Sequence, residues 1–202
     1  NPSFIELGAE ILAEEMDSIG IDGLIAPTID INHEPDNPII GLRSYSDDVQ
    51  TVINCGKSFI NGTKKIGIAT MPKHFPGHGD THIDSHLDLP LITHNRQRLS
   101  EVELVSFARL IQEGVSGIMT AHLNIPSIDD NGVPVSLSKA AVQKMLIEEM
   151  GFNGLVFTDA LNMKGVTRDF PAGEIEIRAL EAGNDVLLFS EDVEKAISSV
   201  LE

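Results

Sequence analysis

Residues 154–159 read GLVFTD, a short apolar run that ends in an acid. Four other stretches have the same apolar, β-branched character: GLIAPTIDI at 23–31, KIGIATM at 65–71, SGIMTA at 116–121 and DVLLF at 185–189. Such runs are typical of strands buried on both faces. Helical patterns lie between and around them, at about 3–19, 47–61, 100–113, 138–150, 172–182 and 191–201. The alternation predicts an α/β fold with a parallel sheet.

Two architectures fit this alternation, an open doubly wound sheet and a (β/α)₈ barrel. No G-x-G-x-x-G motif opens a helix, so a Rossmann-type sheet lacks its marker. Polar residues follow the predicted strands one after another: Asp30, Lys73, His74, His122, Asp159 and Ser190. In a barrel these strand ends converge on one mouth, where active sites lie. We therefore expect a TIM-type (β/α)₈ barrel, with about five of its eight βα units in this chain and the first strands upstream of residue 1.

The composition limits the classes of function. The 202 residues are 42% hydrophobic, which suits one globular domain with a substantial core. The net charge of -17 repels phosphate backbones, so we expect no binding to nucleic acid. No apolar run reaches the length of about 18 residues that a membrane span requires. The lone Cys55 excludes an internal disulfide, and the compartment stays open between cytoplasmic and periplasmic or secreted.

The segment KHFPGHGDTHIDSH at 73–86 places a histidine at every fourth position: His74, His78, His82 and His86. Residues four apart share one face of a helix, which would make a stripe of metal ligands. Pro76, Gly77 and Gly79 oppose a helix, at a cost of roughly 3 kcal/mol for the proline and about 1 kcal/mol for each glycine. We therefore predict a loop, and we expect neither a metal nor another cofactor.

Three residues are candidates for chemistry: Asp159, and Asp84 and His86 in this loop. Asp159 ends an apolar strand, where it is equally suited to a catalytic role and to capping the next helix. Asp84 and His86 are two apart in a loop, so the carboxylate can orient the imidazole for proton transfer. Taken alone, that pair also fits a solvated loop histidine.

Cationic side chains near the expected mouth suit the binding of hydroxyl groups. Lys73 and His74 directly follow a strand and supply hydrogen-bond donors there. Arg43 lies in NPIIGLRSYSDD and can reach the same mouth. The alternative for Arg43 is a surface ion pair with Asp47 or Asp48, worth about 0–1 kcal/mol.

Three of these segments resemble the β-N-acetylglucosaminidases of glycoside hydrolase family 3. They are NPIIGLRSYSDD at 37–48, KHFPGHGDTHIDSHLDLP at 73–90 and LVFTDALNMKGV at 155–166, in the order that the family has them. The resemblance covers essentially the whole chain. It implies a TIM-type barrel and identifies residues 1–202 as the C-terminal part of the family's N-terminal catalytic domain. It also implies removal of terminal β-linked N-acetylglucosamine with retention of configuration.

The resemblance implies a role for each candidate residue. Asp159 matches the nucleophile, and His86 held by Asp84 matches the acid/base dyad. The positions that match sugar-binding residues are Arg43, Lys73 and His74, with His122 beside the same pocket. Retaining glycosidases usually pair two carboxyls about 5–5.5 Å apart, and here an imidazole replaces the second one.

Three functions stay open at this point. The first is a retaining exo-β-N-acetylglucosaminidase that acts on cell-wall muropeptides or related glycans, as in bacterial peptidoglycan recycling. The second is a phosphorylase, because an imidazole leaves room for an anionic acceptor. The third is a non-catalytic sugar-binding fragment. In each case the partner is a carbohydrate, and a longer chain would supply further barrel segments or a further domain.

Overall fold

The structure is a computed structural model that describes residues 1–82 and 88–202. Its α-helices are α1 (Pro2–Ser18), α2 (Val49–Ile66), α3 (Arg96–Glu101), α4 (Glu103–Gln112), α5 (Lys164–Thr167), α6 (Glu174–Ala182) and α7 (Val193–Leu201). Its strands are β1 (Gly23–Leu24), β2 (Ala69–Thr70), β3 (Gly117–Thr120) and β4 (Leu155–Thr158). Two 3₁₀ turns at Gly41–Arg43 and Val135–Leu137 and a π-helix at Ala140–Glu149 complete the set of described elements.

The strands run parallel and lie side by side in the order of the chain. β1 pairs with β2, and β3 pairs with β4 from Gly117 opposite Leu155 to Thr120 opposite Thr158. A parallel bridge between Phe75 and Thr120 joins the two pairs. The α/β class and the parallel sheet are thus as predicted from the sequence.

The strands are shorter than the sequence predicts. The predicted strand 23–31 contains only two strand residues, because Pro27 has no N–H to give to the ladder. Pairing resumes at the bridge between Thr28 and Lys73. The fifth predicted strand, 185–189, is joined to β4 by a single bridge, Phe157 to Val186, and Phe189 at its end has a positive φ of 55°.

The array is a section of a barrel and not a closed one. Within residues 1–82 and 88–202, no ladder joins the 23–24 edge to the 185–189 edge.

Helix ends account for two further differences from the sequence pattern. α2 continues to Ile66, so the segment predicted as a strand from 65 begins only at Ala69. Gly67, with a φ of 96°, ends α2 in the left-handed conformation that glycine adopts at little cost. Helices alternate with the parallel segments as the pattern predicts, although their bounds shift by several residues.

The core lies between the parallel array and the helices packed against it. Ile29, Phe75, Ile118 and Val156 come from the array, and each is almost fully buried. The helices contribute apolar side chains to the same cluster: Val52, Ile60, Phe107, Leu110, Met145 and Leu146. Burying one such large side chain contributes about 1.5–3 kcal/mol. This packing fixes the strand ends from which the polar residues emerge.

In the part of the chain described, no helix is both long and apolar enough to cross a membrane.

Candidate active site

Asp159 immediately follows β4 at the carboxyl end of the array. Its backbone N–H donates to the Thr120 carbonyl at 2.9 Å, and its own Oδ1 accepts the Ala160 N–H at 2.8 Å. The next helix begins only at Lys164 with Met163 at its N-cap, so Asp159 does not cap it. The helix-capping alternative is therefore wrong.

The electrostatic surroundings of Asp159 favour its ionised form. Burial alone would raise the pKa of this carboxyl. Four interactions outweigh burial and lower the pKa of Asp159 below its usual value. In decreasing order, they are the charge of His74, the charge of His122, the hydrogen bond from the Ala160 N–H and the charge of Lys73. An ionised carboxylate is the form in which an aspartate acts as a nucleophile.

Lys73 follows β2, which β3 separates from β4, and its backbone bridges to Thr28. Burial lowers the pKa of its ammonium group, and the positive charge of Arg43 lowers it further. The negative charges of Asp159 and Asp30 raise the pKa of Lys73 and so oppose these two effects. Arg43 and Asp159 are thus both close enough to Lys73 to shift the pKa of its ammonium group.

His74 connects Arg43 to the interior. A terminal guanidinium nitrogen of Arg43 lies 3.3 Å from His74 Nε2, and His74 Nδ1 lies 2.8 Å from a carboxylate oxygen of Asp30. The alternative surface partners of Arg43 have other roles. Asp48 caps α2 by accepting the Thr51 N–H at 2.8 Å, and Asp47 accepts a hydrogen bond from Ser46.

In the sequence, Asp30 stands out only as a polar residue near the end of a predicted strand. It is 1% exposed and accepts hydrogen bonds from the backbone N–H groups of both His74 and His78. Burial would raise the pKa of Asp30, but its charge interactions and hydrogen bonds with His74 and His78 lower it. An acid at the end of an otherwise apolar run was the signal that pointed to this residue.

His122 lies behind Asp159 and is fully buried. Its Nδ1 is 2.7 Å from Ser136 Oγ, and its Nε2 is 3.0 Å from the carbonyl oxygen of Ala160. A carbonyl accepts only, so Nε2 donates to Ala160. These contacts place His122 where it can hold the chain that carries Asp159.

The described part of the histidine-rich segment, 73–82, contains no helix, as predicted. Asp84 and His86 lie outside the described residues. On one side of them, His82 pairs with Glu34 at 3.2 Å, and Asp80 pairs with His94 at 2.5 Å. Among the residues that the structure describes, no group of three or more histidine, cysteine or acidic side chains is arranged to hold a metal ion.

The fold defines a class of protein: an α/β domain in which a buried carboxylate and cationic side chains lie near the carboxyl ends of parallel strands. The model of the glycosyl hydrolase family 3 N-terminal domain matches residues 1–202, so the chain belongs to glycosyl hydrolase family 3. In that family the domain is of the TIM-barrel type, and the array described above is a section of it.

Several known proteins are similar over most of the chain. Beta-hexosaminidase A of Pseudoalteromonas piscicida is 36% identical over 191 residues, which are 89% of this chain and 32% of that protein. A family 3 β-N-acetylglucosaminidase from Paenibacillus sp. superposes on 100% of this chain and 39% of its own, with a TM-score of 0.96 and 37% identity. A β-glucoside phosphorylase bound to 2FGlc has the same TM-score, 30% identity, and 38% of its chain covered. This chain therefore spans about a third of the length of these relatives.

Proposed function

We propose that the chain carries the catalytic mouth of a retaining exo-β-N-acetylglucosaminidase. The observation that carries this proposal is the position of Asp159. It is a carboxylate with a lowered pKa at a strand end, electrostatically coupled to His74 and Lys73 in the same mouth. The similarity to β-hexosaminidases and to a β-N-acetylglucosaminidase supports the choice of sugar.

In this proposal Asp159 attacks the anomeric carbon of a terminal β-linked N-acetylglucosamine. The bond to the aglycone breaks, and the departing oxygen takes a proton from His86, which Asp84 orients. The glycosyl-aspartate ester is then hydrolysed by water that His86 deprotonates, which releases Asp159. Two displacements at one carbon give retention of configuration.

Arg43, Lys73 and His74 are proposed to bind the hydroxyl groups of the sugar. Arg43 lies 3.3 Å from His74, its charge acts on Lys73, and Arg43 and Lys73 each bring donors that match hydroxyl oxygens. The sequence suggested His122 as a fourth sugar contact. Its hydrogen bonds to Ser136 and Ala160 instead support a role in positioning Asp159.

We further propose that residues 1–202 form five of the eight βα units of a TIM-type barrel within a longer chain. Exposed apolar side chains at both ends of the array support this extent. Phe4 and Leu7 on α1 are 74% and 52% exposed, and Ile197 and Leu201 on α7 are 56% and 80% exposed. Further βα units would cover these faces. Cell-wall muropeptides or related glycans are the proposed natural substrates.

The test of the function uses the full-length protein that contains this chain. Wild-type protein should release the sugar from an aryl β-N-acetylglucosaminide, and proton NMR should show the β-anomer first. Asp159→Ala should lower kcat by at least about 10⁴-fold, the order of loss seen when a catalytic group is removed. Asp130→Ala, which removes an exposed loop carboxylate, is the matched control. Undiminished turnover by Asp159→Ala would refute the role of this residue.

The second candidate function is phosphorolysis, and the similarity to a β-glucoside phosphorylase favours testing it. An imidazole in place of a carboxylate avoids repelling an anionic acceptor. Assays with and without inorganic phosphate separate the two, because a phosphorylase releases a sugar 1-phosphate. A non-catalytic sugar-binding role predicts that the full-length protein cleaves nothing under either condition.

A further inference from the structure

We propose that Asp30 is a positioning residue that holds His74 as a neutral imidazole with its proton on Nδ1, which leaves Nε2 as a hydrogen-bond acceptor for a sugar hydroxyl. The ligand in this statement rests on the proposed function. The state of the ring does not, and it is tested separately below.

The carboxylate of Asp30 is surrounded by donors. Its Oδ1 accepts the His78 N–H at 2.7 Å and the His74 N–H at 3.2 Å. Its Oδ2 lies 3.2 Å from the same His74 N–H and 2.8 Å from His74 Nδ1. At 1% exposure, no solvent competes for these positions. A buried carboxylate so placed stays ionised and accepts, so it favours a proton on Nδ1.

The other ring nitrogen sets the tautomer. Arg43 approaches His74 Nε2 to 3.3 Å, and a guanidinium only donates hydrogen bonds. Nε2 must therefore bear a lone pair, because two donors facing each other would repel. With Nδ1 protonated and Nε2 unprotonated, the ring is neutral at neutral pH; the cationic ring that lowers the pKa of Asp159 is the doubly protonated form, which is present in acid, where that carboxyl titrates. The charges that face it are those of Asp30 and Arg43, with Lys73, His78 and Asp159 nearby.

The state of Nε2 has a consequence for the sugar. A hydroxyl that inserts between Arg43 and His74 would replace their direct contact: it would donate its hydrogen to Nε2 and accept from Arg43. One hydroxyl would then act as both donor and acceptor. A group without the hydroxyl hydrogen could not make both hydrogen bonds. The pairing is directional, so it also fixes the orientation of the ring of the sugar.

Asp30 also ties together the segments that form the mouth. Its carbonyl oxygen accepts a hydrogen bond from Ser44 Oγ at 2.7 Å, directly beside Arg43. Its side chain holds the backbone of His74 and His78. One residue thus links the Arg43 turn to the segment that carries Lys73 and His74.

The substitution Asp30→Asn separates tautomer control from packing. Asparagine has nearly the same shape, but one oxygen becomes an NH₂ group that only donates. If the NH₂ faces the His78 N–H, two donors clash. If it faces His74 Nδ1, that nitrogen must accept, and the proton moves to Nε2 against Arg43. Either arrangement disturbs the ring that Asp30 holds in the wild type.

The first experiment needs no catalytic activity. ¹⁵N NMR of the full-length wild-type protein with ¹⁵N-labelled histidine, assigned by loss of signals in His74→Gln, reports the protonation of each ring nitrogen. We expect a protonated Nδ1 and an unprotonated Nε2 at neutral pH. A proton on Nε2, whether alone or together with one on Nδ1, would overturn the inference.

The second experiment compares Asp30→Asn with Asp36→Asn, which changes an exposed acid in the following loop. Asp30→Asn should change the His74 nitrogen signals and lower kcat/KM by about 100-fold, because misplacement of a substrate-holding group has an effect of that order. Asp36→Asn should change neither. A folded Asp30→Asn protein with wild-type nitrogen signals would overturn the inference, whatever its activity.

The two proposals fail in different ways. Absence of glycoside cleavage by the wild type would refute the proposed function and leave the ring state of His74 as measured by NMR. Normal cleavage together with the opposite tautomer would refute only the role of Asp30. If Asp30→Asn does not fold, the wild-type measurement still decides the tautomer.

Discussion

Gly79 packs so tightly against Ile31 that a Cβ atom placed on this glycine would lie 1.8 Å from the Ile31 carbonyl oxygen. The contact brings the histidine-rich loop onto the end of the first parallel segment, beside Asp30. Only a residue without a side chain allows this approach. The glycine that argued against a helix in the sequence is thus required for a loop-to-strand contact.

We predict that Gly79→Ala lowers the free energy of unfolding by about 1–3 kcal/mol, because the backbone on either side must shift to accept the methyl group. Gly8→Ala is the control. Gly8 lies inside α1, and a Cβ there meets nothing within 4 Å. That change should be neutral or stabilising by up to about 1 kcal/mol. Urea unfolding measures both, and equal effects of the two substitutions would contradict the close approach.

His122→Ala should leave the carbonyl of Ala160 and the hydroxyl of Ser136 without their ring partner. We expect a loss of about 1–3 kcal/mol in stability from the unsatisfied groups. If the full-length protein is active, kcat should fall more than KM changes, since His122 is expected to hold the Asp159 segment and not the sugar. The matched control is His33→Ala, which removes an exposed histidine. A change confined to KM would instead favour a direct sugar contact.

The lowered pKa of Asp159 predicts how stability depends on pH. A carboxyl whose pKa is lower in the folded state stabilises the protein above its unfolded pKa of about 3.9. This contribution is lost as the pH falls through the folded pKa. As the pH rises from the folded pKa to the unfolded pKa of Asp159, the free energy of unfolding of wild type should therefore increase relative to that of Asp159→Asn. The same comparison with Asp130→Asn supplies the baseline, and a pH-independent difference for Asp159 would contradict the prediction.

Tyr45 is the single tyrosine of these 202 residues, so the difference in ultraviolet absorbance between wild type and Tyr45→Phe follows its titration. Burial, and to a lesser degree the charge of Cys55, raises the pKa of Tyr45 to about 12. The unfolded chain should titrate near about 10. Because the folded state holds its proton longer, stability should fall as the pH rises from the unfolded towards the folded pKa. A folded-state midpoint equal to that of urea-unfolded protein would show that the ring is not buried.

Much of the fold followed from apolar periodicity. The runs at 116–121 and 154–159 became β3 and β4, paired in register, because a chain buried on both faces has to be apolar throughout. The run at 23–31 was harder to interpret, since prolines interrupt hydrogen bonding without interrupting the apolar pattern. Helix ends were also shifted. α2 ends at Ile66 and is capped by Gly67, although the β-branched residues on either side of this glycine favour a strand.

The candidate site was predictable where a polar residue breaks an apolar strand. Asp159, Lys73 and His74 all stand at such positions, and their mutual charge interactions follow from parallel strand ends lying side by side. The tautomer-setting contacts of Asp30 and the buried ring of His122 were not predictable. Hydrogen-bond partners such as Ser44 and Ser136 are distant or unremarkable in sequence, and only the folded chain brings them together.

Each parallel segment of the array pairs with the segments next to it in the chain, from 23–24 through 185–189. No pairing in the described residues therefore has to wait for a distant stretch to be synthesised. The order in which a ribosome delivers the chain is the order in which the segments can dock, so the array can assemble progressively during translation. The Arg43 turn and the Lys73 segment would then be in place before the carboxylate of Asp159 emerges.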